Sequence, residues 1–185
     1  MHSSRQDTPI FLDIEASGLG PDSWPIEIGL AWITPTGCID SAARLIAPDP
    51  AWPEHGWSGD SARIHCIPRT RPDTEGIAAR EVATWLVEML DGRAALCDAP
   101  EFDGKWMMRL LDRLDARQDA ASAAPWPIHW QEALIAHKPE EVSYDRALRR
   151  AETLGRRLPV PHRADADAAR LARMWCAALE IAPPR

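Results

Sequence analysis

The chain has 185 residues, 45% of them hydrophobic and 26% charged, a balance that supports an ordinary globular core and excludes collagen-like and disordered classes. Its formal net charge of −7 excludes a protein whose whole surface attracts polyanions, while leaving room for a local basic groove. Cys38, Cys66, Cys97 and Cys176 form no C-x-x-C pair, no apolar run approaches the ~18 residues of a membrane span, and "MHSSRQDTP" lacks the charged and apolar regions of a leader. A cytoplasmic protein with free thiols and no membrane partner is expected, organised as a single domain over residues 1–185 with its core at about 9–180.

In chain order, Ile10, Leu12 and Ile14 alternate with Phe11, Asp13 and Glu15, the period of a strand. "PIEIGLAWI" (25–33) and "CIDSAARLIA" (38–47) read as the next two strands, joined by the turn "TPTG". The Pro- and Trp-rich piece 47–73 reads as loop or short helical turns, long enough to line a site. A helical stripe of Ile77, Val82, Trp85, Leu86 and Met89 predicts a helix over 76–91. "RAALC" (93–97) reads as a short buried strand and 99–117 as a second long helix. A fifth short strand is expected around Trp126 and Ile128, with helices near 140–155 and 163–180 closing the chain. The order predicts an α/β fold, a mixed sheet flanked by helices.

Three stretches carry chemistry. In "FLDIEASGLG" (11–20), Asp13 and Glu15 share one face of a strand with Cα atoms roughly 6.5 Å apart, so their carboxylates can converge on one small cation. Without a cation two crowded acids repel and are costly to desolvate. A solvated sheet edge or a cap on the next turn is the favoured account of a lone D-x-E, and alone the motif is weak.

In "CDAPEFDGKWMMRLLDRL" (97–114), Asp98, Pro100 and Glu101 fit an N-cap, a first-turn proline and a reciprocal capping box. Asp103 instead lines up with Met107, Leu110 and Leu114 at about 100° per residue, so it heads the stripe that must face the sheet. A metal or its water would satisfy such an acid; a first-turn acid favoured by the helix dipole is the competing account.

In "PHRADADAARLARMW" (161–175), Asp167 aligns with Leu171, Met174 and Ala178, whereas Asp165 points about 200° away. His162 precedes the helix close to Asp167. It is either a cap or solvent residue, or a base able to take a proton from water near neutral pH.

In order and spacing, "FLDIEASGLG", "CDAPEFD" and the H-x-x-x-x-D of "HRADAD" resemble the three exonuclease motifs of the DEDD superfamily, in its DnaQ-like, DEDDh branch of 3′-5′ exonucleases. The resemblance runs over about residues 9–180 and takes in "PIEIGLAW" and "RIHCIPRT". It implies a ribonuclease H-like mixed sheet with the second strand antiparallel. It also implies metal-dependent hydrolysis of phosphodiester bonds at the 3′ ends of single-stranded or short RNA or DNA. Carried over, Asp13, Glu15, Asp103 and Asp167 are the metal-site acids and His162 the general base. The cofactors implied are two divalent cations, Mg²⁺ or Mn²⁺, about 3.5 to 4 Å apart. On this reading Asp13 bridges both ions, Glu15 and Asp167 serve the ion on the nucleophile side, and Asp103 serves the other. The chain departs from the family at Ala16-Ser17-Gly18, where Thr-Thr-Gly is common, and at Cys97-Asp98, where His-Asn is common.

Ser17, Gly18, Leu19 and Trp106 are candidate contacts to the terminal nucleotide, with Leu19 packing on its base between two glycines and Trp24 or Trp106 stacking. Core packing competes for both tryptophans, and a plain tight turn competes for Leu19. Arg146, Arg149, Arg150, Arg156 and Arg157 form a basic cluster interleaved with Glu140, Glu141, Asp145 and Glu152. An exposed salt-bridged helix is expected there, with phosphate tracking as the alternative. A homodimer is possible, since relatives dimerise. Two other classes of function compete: a catalytically silent nucleic-acid-binding module of the same fold, and a zinc hydrolase built on His55, His65 and Cys66.

Overall fold

The computed structural model describes residues 8–114 and 124–181. Five strands form one sheet: β1 (Ile10–Ala16), β2 (Pro25–Ile33), β3 (Ile39–Leu45), β4 (Ala95–Cys97) and β5 (Ile128–His129), in the spatial order β3-β2-β1-β4-β5. β2 runs antiparallel to both β1 and β3, while β4 is parallel to β1 and β5 is parallel to β4. The mixed sheet with an antiparallel second strand is therefore as expected. Parallel neighbours need a crossover, and helices supply it. A single 3₁₀ turn (Glu54–Gly56) and the helices α1 (Gly59–His65), α2 (Thr70–Glu75) and α3 (Ala79–Leu90) lie between β3 and β4. α4 (Pro100–Leu111) follows β4, and α5 (Trp130–His137), α6 (Tyr144–Gly155) and α7 (Ala164–Leu179) complete the chain.

The elements form where the patterns place them, with shorter ends. The second long helix stops at Leu111 rather than 117, and residues 115–117 lie outside the described residues. The expected fifth strand shrinks to Ile128–His129, with Trp126 half exposed at 51% before it. α5 has no counterpart in the sequence reading. Its eight residues are too few for a helical stripe, and its N-cap is His129, whose Nδ1 accepts from the Gln131 amide at 3.2 Å.

Alternation along β1 and β2 divides the core in two. Ile10, Leu12, Ile14 and, from β2, Ile26, Ile28 and Leu30 pack on one side with Leu86, Leu90, Met107 and Leu110 of α3 and α4. Phe11 and Ala31 point to the other side, against Ala168, Ala172 and Trp175 of α7 and Ala147 and Ala151 of α6. Asp13 and Glu15 belong by period to this second, alanine-rich side. Their cross-strand partners on β2 are Gly29 and Glu27, and the register shifts at Glu15/Ala16 where β1 ends. Gly29 is a close-approach position: a Cβ there would lie 2.0 Å from the Ala164 carbonyl carbon and 2.2 Å from the Asp165 amide nitrogen. The bare backbone of β2 thus lets the first turn of α7 rest directly beside Asp13.

Candidate active site

A cleft of about 220 Å³ opens where β1 meets the first turn of α7. Asp13, Glu15, Asp98, His162, Asp167 and Arg170 supply its polar lining. Glu15, His162 and Asp167 offer ligand atoms all within 4.8 Å of one another, the one such metal-competent group of three among the described residues. Asp103 projects from the first turn of α4 and is 3% exposed. It does not line the cleft, but it is the first charge acting on Asp13. The structure thus brings Asp13, Glu15, His162 and Asp167 to one cleft, with Asp103 buried beside Asp13.

The electrostatics are those of crowded, buried acids that the nearby Arg163 and Arg170 only partly offset. Burial holds Asp13 well above the ordinary carboxylate range, and Asp103, Glu15, Asp167 and Asp98 push it further. Glu15 is raised to about 7 by burial and then by Asp167 and Glu27, with Arg163 pulling the other way. Asp103 is raised to about 8 by burial and then by Asp98, although the Cys97 thiol and the Ala99 and Ile14 amides favour its charged form. Asp167 is raised by burial against the opposing pull of the Arg163 amide and of His162. Asp103 Oδ2 is buried without a hydrogen-bond partner. An orphaned buried carboxylate oxygen beside a cluster of further carboxylates is what a hard divalent cation would satisfy, so the residues fit the implied metals.

Two residues outside the expected set hold this arrangement in place. Glu27, 2% exposed, faces Arg163 through two guanidinium contacts, Nε to Oε2 at 2.9 Å and Nη2 to Oε1. Glu27 Oε2 also accepts the Ala164 amide at 3.0 Å. Arg163, the N-cap of α7, makes no capping bond with its own side chain, so an acid from β2 satisfies the helix terminus instead. The Arg163 amide in turn donates to Asp167 Oδ2 at 3.1 Å. His162 sits one residue earlier in a left-handed conformation, φ 51°, which a non-glycine residue holds only when its surroundings impose it. The lone acid inside the apolar run "PIEIGLAWI" was a legible signal for Glu27; nothing in sequence marked Arg163 as its partner.

Asp98 is a correction. The capping box expected with Glu101 does not form: the N-cap of α4 is Ala99, with no side-chain cap, and Asp98 is exposed in the cleft. Pro100 still occupies the first turn. Cys97 at the end of β4 is fully buried, and burial and then Asp103 push its thiol far up, so it stays protonated beside that carboxylate.

The candidate substrate contacts divide by exposure. Ser17 is fully buried; its hydroxyl donates to the Gly56 carbonyl at 2.9 Å and accepts the Trp24 amide at 2.9 Å. Trp106 is 5% exposed and its indole N–H donates to Ser23 Oγ at 2.8 Å. Both side chains are therefore committed to packing and hold the loop after β1 from beneath. Trp24 is likewise interior, stacked on Trp52 at 5.7 Å. Gly18 packs 3.1 Å, measured from an added Cβ, against the Gly56 carbonyl, whereas Leu19 is 68% exposed. Lys105 Nζ donates to the Leu19 and Gly20 carbonyls at 3.2 and 3.1 Å, and Arg109 Nη1 to the Ser23 carbonyl at 2.7 Å, tying this loop to α4. Phe102, 36% exposed on α4, is an apolar group that sequence reading passed over. His55 pairs with Asp22 at 3.1 Å, His65 is buried and Cys66 is exposed, so no zinc set assembles from them.

No family model matches the chain, and no curated protein matches it. Solved structures do. E. coli Exonuclease I in complex with a dT13 oligonucleotide aligns with a TM-score of 0.61 at 15% identity, over 94% of this chain and 41% of that one. Cell-death related nuclease 4 aligns with a TM-score of 0.58 at 17% identity, over 91% of this chain and 62% of that one. A full-length 3′-exonuclease aligns with a TM-score of 0.56 at 17% identity, over 91% and 59%. This chain spans about two fifths to three fifths of the length of those proteins. At such identities the likeness is one of fold: the chain has the ribonuclease H-like fold on which these exonucleases are built.

Proposed function

We propose that the protein is a metal-dependent 3′-5′ exonuclease of the DEDDh type, acting on single-stranded or short RNA or DNA. The observation that carries this reading is the meeting of Asp13, Glu15, Asp167 and His162 at one cleft, beside a buried Asp103 with an orphaned oxygen. The fold likeness to 3′-exonucleases, one of them solved with a dT13 oligonucleotide, supports it. No helix among the described residues is long and apolar enough to cross a membrane.

Asp13, Glu15, Asp103 and Asp167 would hold divalent cations, Mg²⁺ or Mn²⁺. Bound there, such ions supply the positive charge that offsets a phosphodiester's developing negative charge and lowers the pKa of water. The remaining work belongs to the chain. His162, exposed at the cleft mouth, accepts the proton of the attacking water as the new P–O bond forms and the bond to the leaving 3′ oxygen breaks. Glu27 and Arg163 keep His162 and Asp167 in one frame through the Arg163 amide and guanidinium. Leu19 and Phe102, exposed apolar side chains on the loop after β1 and on α4, are the groups offered to the terminal base.

Matched 5′-labelled RNA and DNA oligomers incubated with Mn²⁺ test this. Stepwise shortening from the 3′ end is expected, and the more rapidly shortened sugar identifies the substrate. Asp13→Asn should lower the rate by at least about 100-fold and remove the metal-induced rise in Tm. Retention of oligomers without any shortening would instead identify a binding module.

A further inference from the structure

The side of α6 that turns away from the core carries arginines in a line. At about 100° per residue, Arg146, Arg149, Arg150 and Thr153 fall within roughly 100° of one another, and Arg157 just beyond the helix continues the line. The buried positions Ala147, Ala151 and Gly155 lie on the other side. The sequence predicts neutralisation of this cluster by interleaved acids, and the structure shows it for only part of the cluster. Arg150 pairs with Glu180, and Arg156 lies 3.9 Å from Glu152. Arg146, Arg149 and Arg157 are exposed, and among the described residues none of the three has an ion pair. The three line one groove of about 500 Å³ between α6 and the end of α7, together with the Arg150–Glu180 pair and the apolar Leu154 and Ala177.

This groove is linked to the acidic cleft through the chain that leaves α6, although the two share no lining residue. Val160, three residues beyond Arg157, lines the cleft, as does Arg170, whose Nη2 donates to the Gly155 carbonyl at the end of α6 at 3.0 Å. From Arg146 to Arg157 the line extends roughly 16 Å at the helical rise. On a chain of net charge −7, an arginine row of that length, with three of its four members outside any ion pair among the described residues, complements a linear polyanion rather than a compact one. Guanidinium forks match phosphate oxygens bidentately.

We propose that the α6–α7 groove binds the phosphate backbone of a single-stranded polynucleotide, upstream of the 3′ end held at the cleft. This rests on the nuclease reading of the cleft and assigns it extended strands, rather than dinucleotides, as preferred substrates.

The test is equilibrium binding of fluorescein-labelled dT3 and dT16 without divalent metal, across a series of KCl concentrations. The full chain is compared with R146S/R149S/R157S and with the charge-keeping R146K/R149K/R157K. For single strands log K falls with log salt at about 0.7 per neutralised phosphate, so the serine variant should lose about 2 from the dT16 slope. Its Kd for dT16 should rise at least about tenfold at low salt, abolishing the advantage of dT16 over dT3. The lysine variant should keep most of the slope, which separates lost charge from lost folding. An unchanged dT16 slope in the serine variant overturns the proposal. So does preferential binding of a poly-glutamate peptide, which would make the groove a site for acidic protein. Failure of the nuclease reading has a different signature, because wild-type protein would then leave both oligomers at full length with Mn²⁺.

Discussion

The two faces of the sheet are packed on different principles. On one side, Ile, Leu, Met and Trp side chains from β1, β2, α3 and α4 interdigitate around fully buried positions such as Leu86 and Leu110. On the other, alanines of α6 and α7 meet Phe11, Ala31 and the bare backbone of Gly29. Large side chains bury more apolar area per residue and so contribute most to stability. Small ones let a helix approach the sheet closely, and here the closely approaching helix is the one that carries Asp167. The comparison teaches that the bulky face holds the fold, whereas the alanine face sets the distance between acids on different elements.

The sharpest way to break this distinction is Gly29→Ala. A single methyl there meets the α7 backbone, so Asp167 and His162 must move away from Asp13. Activity on an oligonucleotide should fall at least about 100-fold, since an ångström of misplacement suffices for that. The metal-induced rise in Tm should fall with it. Leu86→Ala on the opposite face should show the reverse pattern. It should cost about 2–5 kcal/mol in denaturant unfolding, while the specific activity of the folded fraction and its metal response stay at wild-type level. Equal losses of activity in both variants would erase the proposed division of labour.

The smallest effect sharpens the picture electrostatically. Glu15, raised to about 7, and Asp103, raised to about 8, keep protons in the folded state that the unfolded chain releases near its ordinary carboxylate values. The folded state therefore binds more protons between those limits, and stability falls as pH rises through them. The Tm of metal-free protein should drop by several degrees between about pH 5 and 8.5, and divalent cation should flatten or reverse the trend at the upper end. A metal-free Tm that climbs over this range would show that the acids are not crowded as described.

Much of the sheet was legible because strand alternation is a local property. β2 spans the expected 25–33 because nine apolar-rich residues are bounded by Pro25 and the turn after Ile33. The inward registration of Asp103 and Asp167 on their helices was also legible, since helical period alone places them above Met107 and Leu171. The burial of Ser17 and Trp106 was not legible, because it depends on what folds over them: the 3₁₀ turn at Gly56 and the Ser23 hydroxyl come from elsewhere in the chain. Asp98 misled as well. The helix starts one residue later than the signature places it, with Ala99 as N-cap, which leaves the Asp98 side chain exposed in the cleft.

By itself the sequence determined the strand and helix periods, the order of the three acidic motifs and the presence of a histidine ahead of the last acid, all of which are encoded by neighbours along the chain. Only the tertiary structure decided that Glu27 grips Arg163 across 136 residues, that Gly29 admits the α7 terminus, and that three arginines of the α6 line escape their neighbouring acids. The physical reason is range. Periodicity is set by backbone geometry within a few residues, whereas pairing, burial and charge neutralisation depend on which distant surfaces packing brings into contact.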